Sequence, residues 1–207
     1  GNLKVKGTVQ PLGAHLLVKI FEVDELTKGG ILLPGSKQER PKGGEVVAVG
    51  PGEADPDTGV LTPVSAKPGQ QVLYSRYSGS RTLEVEGADH TLLREDDALV
   101  LYEGEKPMLA TLTLPRGRVL VKMTDGEEKT ANGLLLSAGA VERSTTVGEV
   151  VAVGPGELDS DGQTVDPPVK VGDMVRFRYG DQVELDIDDA RYSAVKMSAC
   201  IARWKAA

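Results

Sequence analysis

Gly44-Glu45-Val46-Val47-Ala48-Val49-Gly50-Pro51-Gly52-Glu53 recurs letter for letter as Gly148-Glu149-Val150-Val151-Ala152-Val153-Gly154-Pro155-Gly156-Glu157. Other segments keep nearly the same displacement. Leu17-Val18-Lys19 matches Leu120-Val121-Lys122, and Pro68-Gly69-Gln70-Gln71-Val72-Leu73-Tyr74 matches Val171-Gly172-Asp173-Met174-Val175-Arg176-Phe177. Order and spacing persist through nearly the whole unit, which is the mark of tandem duplication. A period of about 100 residues is too long for a solenoid repeat, so each copy is expected to fold around its own core. The boundary falls at the polar stretch Glu103-Gly104-Glu105-Lys106-Pro107. The expected organisation is an N-terminal extension (1–8), a first domain (9–103), a linker (104–111) and a second domain (112–207).

The repeated run is β-branched and closes on Gly-Pro-Gly, a strand ended by an obligatory turn. Residues 16–21 and 119–123 are apolar runs broken by a lysine, and residues 72–77 and 175–179 read as further strands. Leu83-Glu84-Val85 and Val183-Glu184-Leu185 alternate with period two. No window carries a convincing amphipathic helix. With 25 Gly, 12 Pro and 4% aromatic residues, the pattern predicts an all-β chain of two small irregular β-barrels in tandem.

Bulk chemistry narrows the function. A net charge of −7 disfavours nucleic acid, whose backbone wants a basic face. No run approaches the ~18 apolar residues of a membrane span. Cys200 is the single cysteine, so no internal disulfide or cysteine metal cluster can form, and it reads as a small apolar residue in a strand. The sequence has no HExxH motif, no phosphate-binding loop and no cysteine nucleophile with a partner histidine. Asp159-Ser160-Asp161-Gly162 lacks the remaining ligands of a calcium loop. His90 reads as a surface-loop residue, His15 as a polar substitute, and Trp204 as either a packing residue or part of a tail. Residues 9–104 carry 15 acidic and 9 basic side chains, and residues 112–205 carry 15 and 12; the halves are similar but not interchangeable.

One segment per copy stands apart. Between the first strand and the Glu-Val-Val strand lie about twenty residues rich in Gly, Ser, Lys and Glu, and connections this long are usually functional or disordered. Each holds three adjacent aliphatics behind a glycine turn: Ile31-Leu32-Leu33 after Gly29-Gly30, and Leu134-Leu135-Leu136 after Asn132-Gly133. In one copy alone this could be a short core strand. Its recurrence amid different loop letters favours an apolar cluster awaiting a partner.

The Leu-Val-Lys strand, the Gly-Gly-Ile-Leu-Leu loop and the Gly-Glu-Val-Val-Ala-Val-Gly-Pro-Gly run together resemble the co-chaperonin (chaperonin-10) family. Two units in one chain resemble its tandem-repeat chloroplast branch. The resemblance implies a mobile loop whose aliphatic triplet docks on chaperonin-60, so the expected binding residues are Gly29, Gly30, Ile31, Leu32, Leu33, Asn132, Gly133, Leu134, Leu135 and Leu136. Asn132 stands where copy one has the first glycine, and it tolerates positive φ better than most residues. The resemblance further implies a roof hairpin after Gly-Pro-Gly, at residues 53–63 and 157–168, and a chloroplast-stroma location. It also implies a cap that closes the folding cage while ATP is hydrolysed on the partner. No catalytic residue, metal or cofactor is expected on this chain. Chains of two units cannot evenly fill an odd-numbered ring, so the expected assembly is a homo-oligomer or a mixed ring with single-repeat co-chaperonins. Where the family has Asp-Arg before its first strand, copy one has Ala14-His15 and copy two Gly117-Arg118.

Overall fold

The computed structural model describes residues 3–21, 41–75, 77–79, 82–123, 146–159, 161–178, 180, 182–188 and 190–205. Its regular structure is almost entirely β. In copy one these are β1 (Leu3–Val5), β2 (His15–Ile20), β3 (Lys42–Val49), β4 (Glu53–Ala54), β5 (Leu61–Thr62), β6 (Gln71–Tyr74), β7 (Leu83–Val85), β8 (Ala88–Arg94) and β9 (Ala98–Tyr102). Copy two adds β10 (Leu112–Thr113), β11 (Arg118–Met123), β12 (Val147–Val153), β13 (Asp173–Phe177), β14 (Gln182–Ile187), β15 (Ala190–Lys196) and β16 (Cys200–Lys205). The helical content of the described residues is two 3-10 turns, Glu95–Asp97 and Met197–Ala199.

The two copies repeat one topology. Strands follow the order β7-β8-β2-β3-β6-β9 in copy one and β14-β15-β11-β12-β13-β16 in copy two. Each has its own core: Leu16, Val18, Val46, Val72, Tyr74, Leu93 and Leu101 in the first, and Val119, Val121, Val150, Val175, Phe177, Val195 and Met197 in the second. The repeated run therefore supplies one central strand to each unit, with Val46 and Val150 fully buried.

The glycines opening that run are dictated by packing. A Cβ on Gly44 would strike the Lys19 carbonyl and the Val18 side chain, and one on Gly148 would strike the Lys122 carbonyl and Val121. At the other end, the Gly50 N–H donates to the His15 carbonyl and the Gly154 N–H to the Arg118 carbonyl, both at 2.8 Å. Glu95 is a further tie in copy one. Nearly buried, it accepts from Ser65 N (2.6 Å), Ser65 Oγ (2.5 Å) and Ala66 N (3.2 Å), anchoring the loop before β6 to the turn after β8.

Several sequence expectations are refined. β6 and β13 end at Tyr74 and Phe177, short of the expected Tyr77 and Tyr179. His90 lies inside β8 and is 6% exposed, so it is not a surface-loop residue. Trp204 lies in β16 opposite Met174 and keeps 43% of its surface exposed. Cys200 opens β16 half-buried, and burial pushes its thiol pKa up. Strand β10, which opens copy two, pairs with β9 of copy one (Leu112 with Tyr102, Thr113 with Leu101).

Candidate functional site

The ten expected binding residues, Gly29 to Leu33 and Asn132 to Leu136, lie outside the described residues. Their frame is described. Phe21 N–H donates to the Gly43 carbonyl at 3.0 Å, and Ile20 faces Gly44 across the β2–β3 ladder. In copy two Met123 faces Gly148 across β11–β12, and the Phe177 N–H reaches the Thr146 carbonyl at 3.0 Å. Each long segment thus leaves and re-enters on neighbouring antiparallel strands, at the same end of the same ladder in both copies.

The excursions after Gly-Pro-Gly are small and acidic. In copy one Glu53 pairs with Thr62 and Ala54 with Leu61. Asp55 Oδ1 closes the turn by accepting from Asp57 N (2.9 Å), Thr58 N (2.8 Å) and Thr58 Oγ1 (3.0 Å), which holds its pKa below the ordinary carboxylate value. Among the described residues, copy two has here an isolated bridge between Leu158 and Thr164. Asp159 Oδ1 is occupied by the Asp161 and Gln163 N–H groups at 3.0 and 2.8 Å. No group of three metal-ligating side chains gathers among the described residues.

A surface that the sequence reading missed joins the copies. Leu73, Leu99, Val100 and Tyr102 on the outer side of β6–β9 share one apolar cluster with Leu120, Leu185, Ile187, Tyr192 and Ala194 on the outer side of β11, β14 and β15. Arg118, 6% exposed, crosses this seam and donates from Nη2 to the Asp96 carbonyl at 2.6 Å. Desolvation lowers the Arg118 pKa, and the nearby Asp97 and Asp96 partly restore it. A legible signal existed. Ala98-Leu99-Val100-Leu101-Tyr102 is apolar throughout and all five residues are buried, as befits a strand covered on both faces. Its counterpart Cys200-Ile201-Ala202-Arg203-Trp204 is half-buried or exposed throughout.

Against this frame, the family model described as "Chaperonin 10 Kd subunit" matches residues 8–102 and again 113–203. The chain belongs to the chaperonin-10 family. Among curated chaperonin-10-type proteins, it is 38% identical to the "20 kDa chaperonin, chloroplastic" of Arabidopsis thaliana, over 94% of this chain and 75% of that protein. The protein of the same name from Spinacia oleracea is 36% identical over 94% of this chain and 74% of its own length. "Co-chaperonin GroES" of Methylacidiphilum infernorum aligns over 48% of this chain and 99% of itself, at 41% identity. The single-unit relative therefore matches half of a chain that the family model matches twice.

Proposed function

We propose that this tandem chaperonin-10 chain is a co-chaperone of the chloroplast stroma that caps a chaperonin-60 ring and closes its folding cage. Location in the chloroplast rests on the two chloroplastic 20 kDa relatives. The observation that carries the docking role is the repetition of the frame. In both copies a long polar segment with an embedded aliphatic triplet spans the same pair of neighbouring strands, β2–β3 and β11–β12.

Ile31, Leu32 and Leu33 dock on one chaperonin subunit, and Leu134, Leu135 and Leu136 dock on another. Gly29-Gly30 and Asn132-Gly133 shape the turn before each triplet. ATP is bound and hydrolysed by the partner, so the cap requires no nucleotide site of its own. The chains assemble head to tail, alone or with single-unit co-chaperonins, into the ring that meets the chaperonin rim.

Capture by immobilised chaperonin-60 with and without ATP tests this reading. Wild-type chain should be retained in a nucleotide-dependent way and should raise the yield of assisted refolding. Leu32→Asp with Leu135→Asp should abolish both while leaving the far-ultraviolet circular dichroism unchanged. Refolding assistance that survived the double substitution would remove the triplets from the docking role.

A further inference from the structure

The strands that frame the two long segments meet at one polar tie. The turn after β8 is fastened to the start of β2, where the Glu95 N–H donates to the Ala14 carbonyl at 2.9 Å and His15 faces Arg94. Copy two repeats the arrangement, with the Met197 N–H on the Gly117 carbonyl at 2.8 Å and Arg118 opposite Lys196. Between the copies, Arg118, the first residue of β11, donates from Nη2 to the Asp96 carbonyl in the first of these turns. A continuous path therefore runs from β2 through the Glu95–Asp97 turn to Arg118 and β11. The long segments leave from the opposite ends of these same strands, beyond Ile20 and Met123.

The equivalent positions elsewhere in the chain are built differently. Where copy two has Arg118, copy one has His15, whose Nδ1 lies 2.9 Å from the Leu12 carbonyl of its own copy. Where copy one has the acidic turn Glu95-Asp96-Asp97, copy two has Met197-Ser198-Ala199. The tie is thus specific to the pair of copies within one chain.

The other contacts between the copies set the angle less strictly. The apolar cluster of Leu73, Leu99, Val100 and Tyr102 with Leu120, Leu185, Ile187 and Tyr192 holds the faces together, but apolar burial is non-directional. The β9–β10 pairing is two residues long and forms a hinge line. A hydrogen bond from a buried guanidinium has both a length and a direction, and it supplies a second fixed point. Arg118 is 6% exposed and its Nε meets no acceptor among the described residues, so the bond to Asp96 is the one that a shift of the copies would break. Its position gives leverage. A strand like β11 is about 17 Å long, so a turn of about 10° at the tie moves the far end by about 3 Å.

We propose that Arg118 is a positioning residue for docking: its bond to the turn after β8 fixes the angle and spacing of the two frames, so that one chain meets the chaperonin as a preset divalent unit. A second segment gains most when its reach matches the span between two sites, and a connection that lets the span vary loses part of that gain. The ordering is completed on folding and is not repeated at each docking. This inference rests on the docking role proposed above.

Arg118→Met tests it, because exchanging a buried charge for an apolar side chain of similar length often holds or raises stability while removing the directed bond. Capture by immobilised chaperonin-60 with ATP is measured in the intact chain, in Leu32→Asp and in Leu135→Asp. In the intact chain Arg118→Met should weaken capture about tenfold, with the thermal midpoint held or raised. In either single-segment background it should change capture by less than about twofold, because no second segment is left to position. No loss in the intact chain would overturn the positioning role and leave the docking segments standing. An equal loss in every background, or a loss confined to Leu32→Asp, would overturn it too, since either assigns the effect to the fold of copy two. If Leu32→Asp and Leu135→Asp left capture unchanged, the docking reading itself would fail and this inference with it.

Discussion

The carboxylate of Asp173 sits almost fully enclosed at the start of β13, 3.3 Å from Arg203 Nη1 and 2.6 Å from Lys205 Nζ, and it accepts the Lys170 N–H at 2.9 Å. Copy one builds the same corner from Gln70, whose Oε1 accepts the Lys67 N–H at 2.9 Å. The ionic version ties the last strand to its neighbour by charge. Its hydrogen bond to Lys205 is the largest cause holding the Asp173 pKa at about 2, below the ordinary 3.8. A carboxyl depressed in the folded state stabilises above its unfolded pKa and stops doing so as pH falls through the folded one. Asp173→Asn should therefore lower the thermal midpoint at neutral pH, and the difference from wild type should close between 3.8 and about 2. A difference that persisted at the acid end would assign the effect to packing instead of charge.

Gly148 makes a different demand at the same scale. A methyl group there meets the Lys122 main-chain carbonyl, which cannot swing aside as a side-chain tip can. Gly148→Ala should cost about 1–3 kcal/mol in urea unfolding. Gly172, with φ of +83° and no atom near its missing Cβ, is constrained by backbone conformation alone.

At the scale of the element, β9 and β16 occupy the same place in two copies and meet different surroundings. Leu73 beside β9 is 1% exposed in the seam, whereas its counterpart Arg176 is exposed. Leu73→Arg would bury an unpaired guanidinium between the copies, a loss on the order of 3 kcal/mol or more. Arg176→Leu on the separate chain should stay within about 0.5 kcal/mol. Equal effects in urea unfolding would mean that the seam contributes little to stability.

The same comparison shows what the sequence could and could not disclose. The duplication, the all-β class and the central strands were legible because period-two alternation and Gly-Pro-Gly turns are local signals. Strand β8 was hidden because Asp89 and His90 look like loop chemistry, and only tertiary packing reveals that His90 is buried. The seam was hidden because its two halves lie about a hundred residues apart and join different copies. The aliphatic triplets stand out in the sequence as a repeated departure from polar loop composition, and they lie outside the described residues. The described structure adds the strand pairs that flank the two segments, β2–β3 and β11–β12.

For the whole molecule, duplication puts the two proposed docking segments on one covalent frame. Three aliphatics buried at about 1.5–3 kcal/mol each oppose an ordering cost of roughly 2–5 kcal/mol. One segment alone is then left with at most about 7 kcal/mol, an affinity no tighter than about 10 micromolar. A second segment on the same chain binds at an effective concentration of millimolar order, which raises affinity by about 10²–10⁴ without any new contact. Leu32→Asp alone, or Leu135→Asp alone, should therefore weaken ATP-dependent capture by chaperonin-60 by about two orders of magnitude or more. The two single variants need not match, because the copies differ at Gly29-Gly30 and Asn132-Gly133. Capture measured against a single chaperonin ring, with variant and wild-type chains at equal concentration, reads the effect directly. If each single substitution cost only about twofold, the two segments would dock independently and the duplication would contribute no avidity.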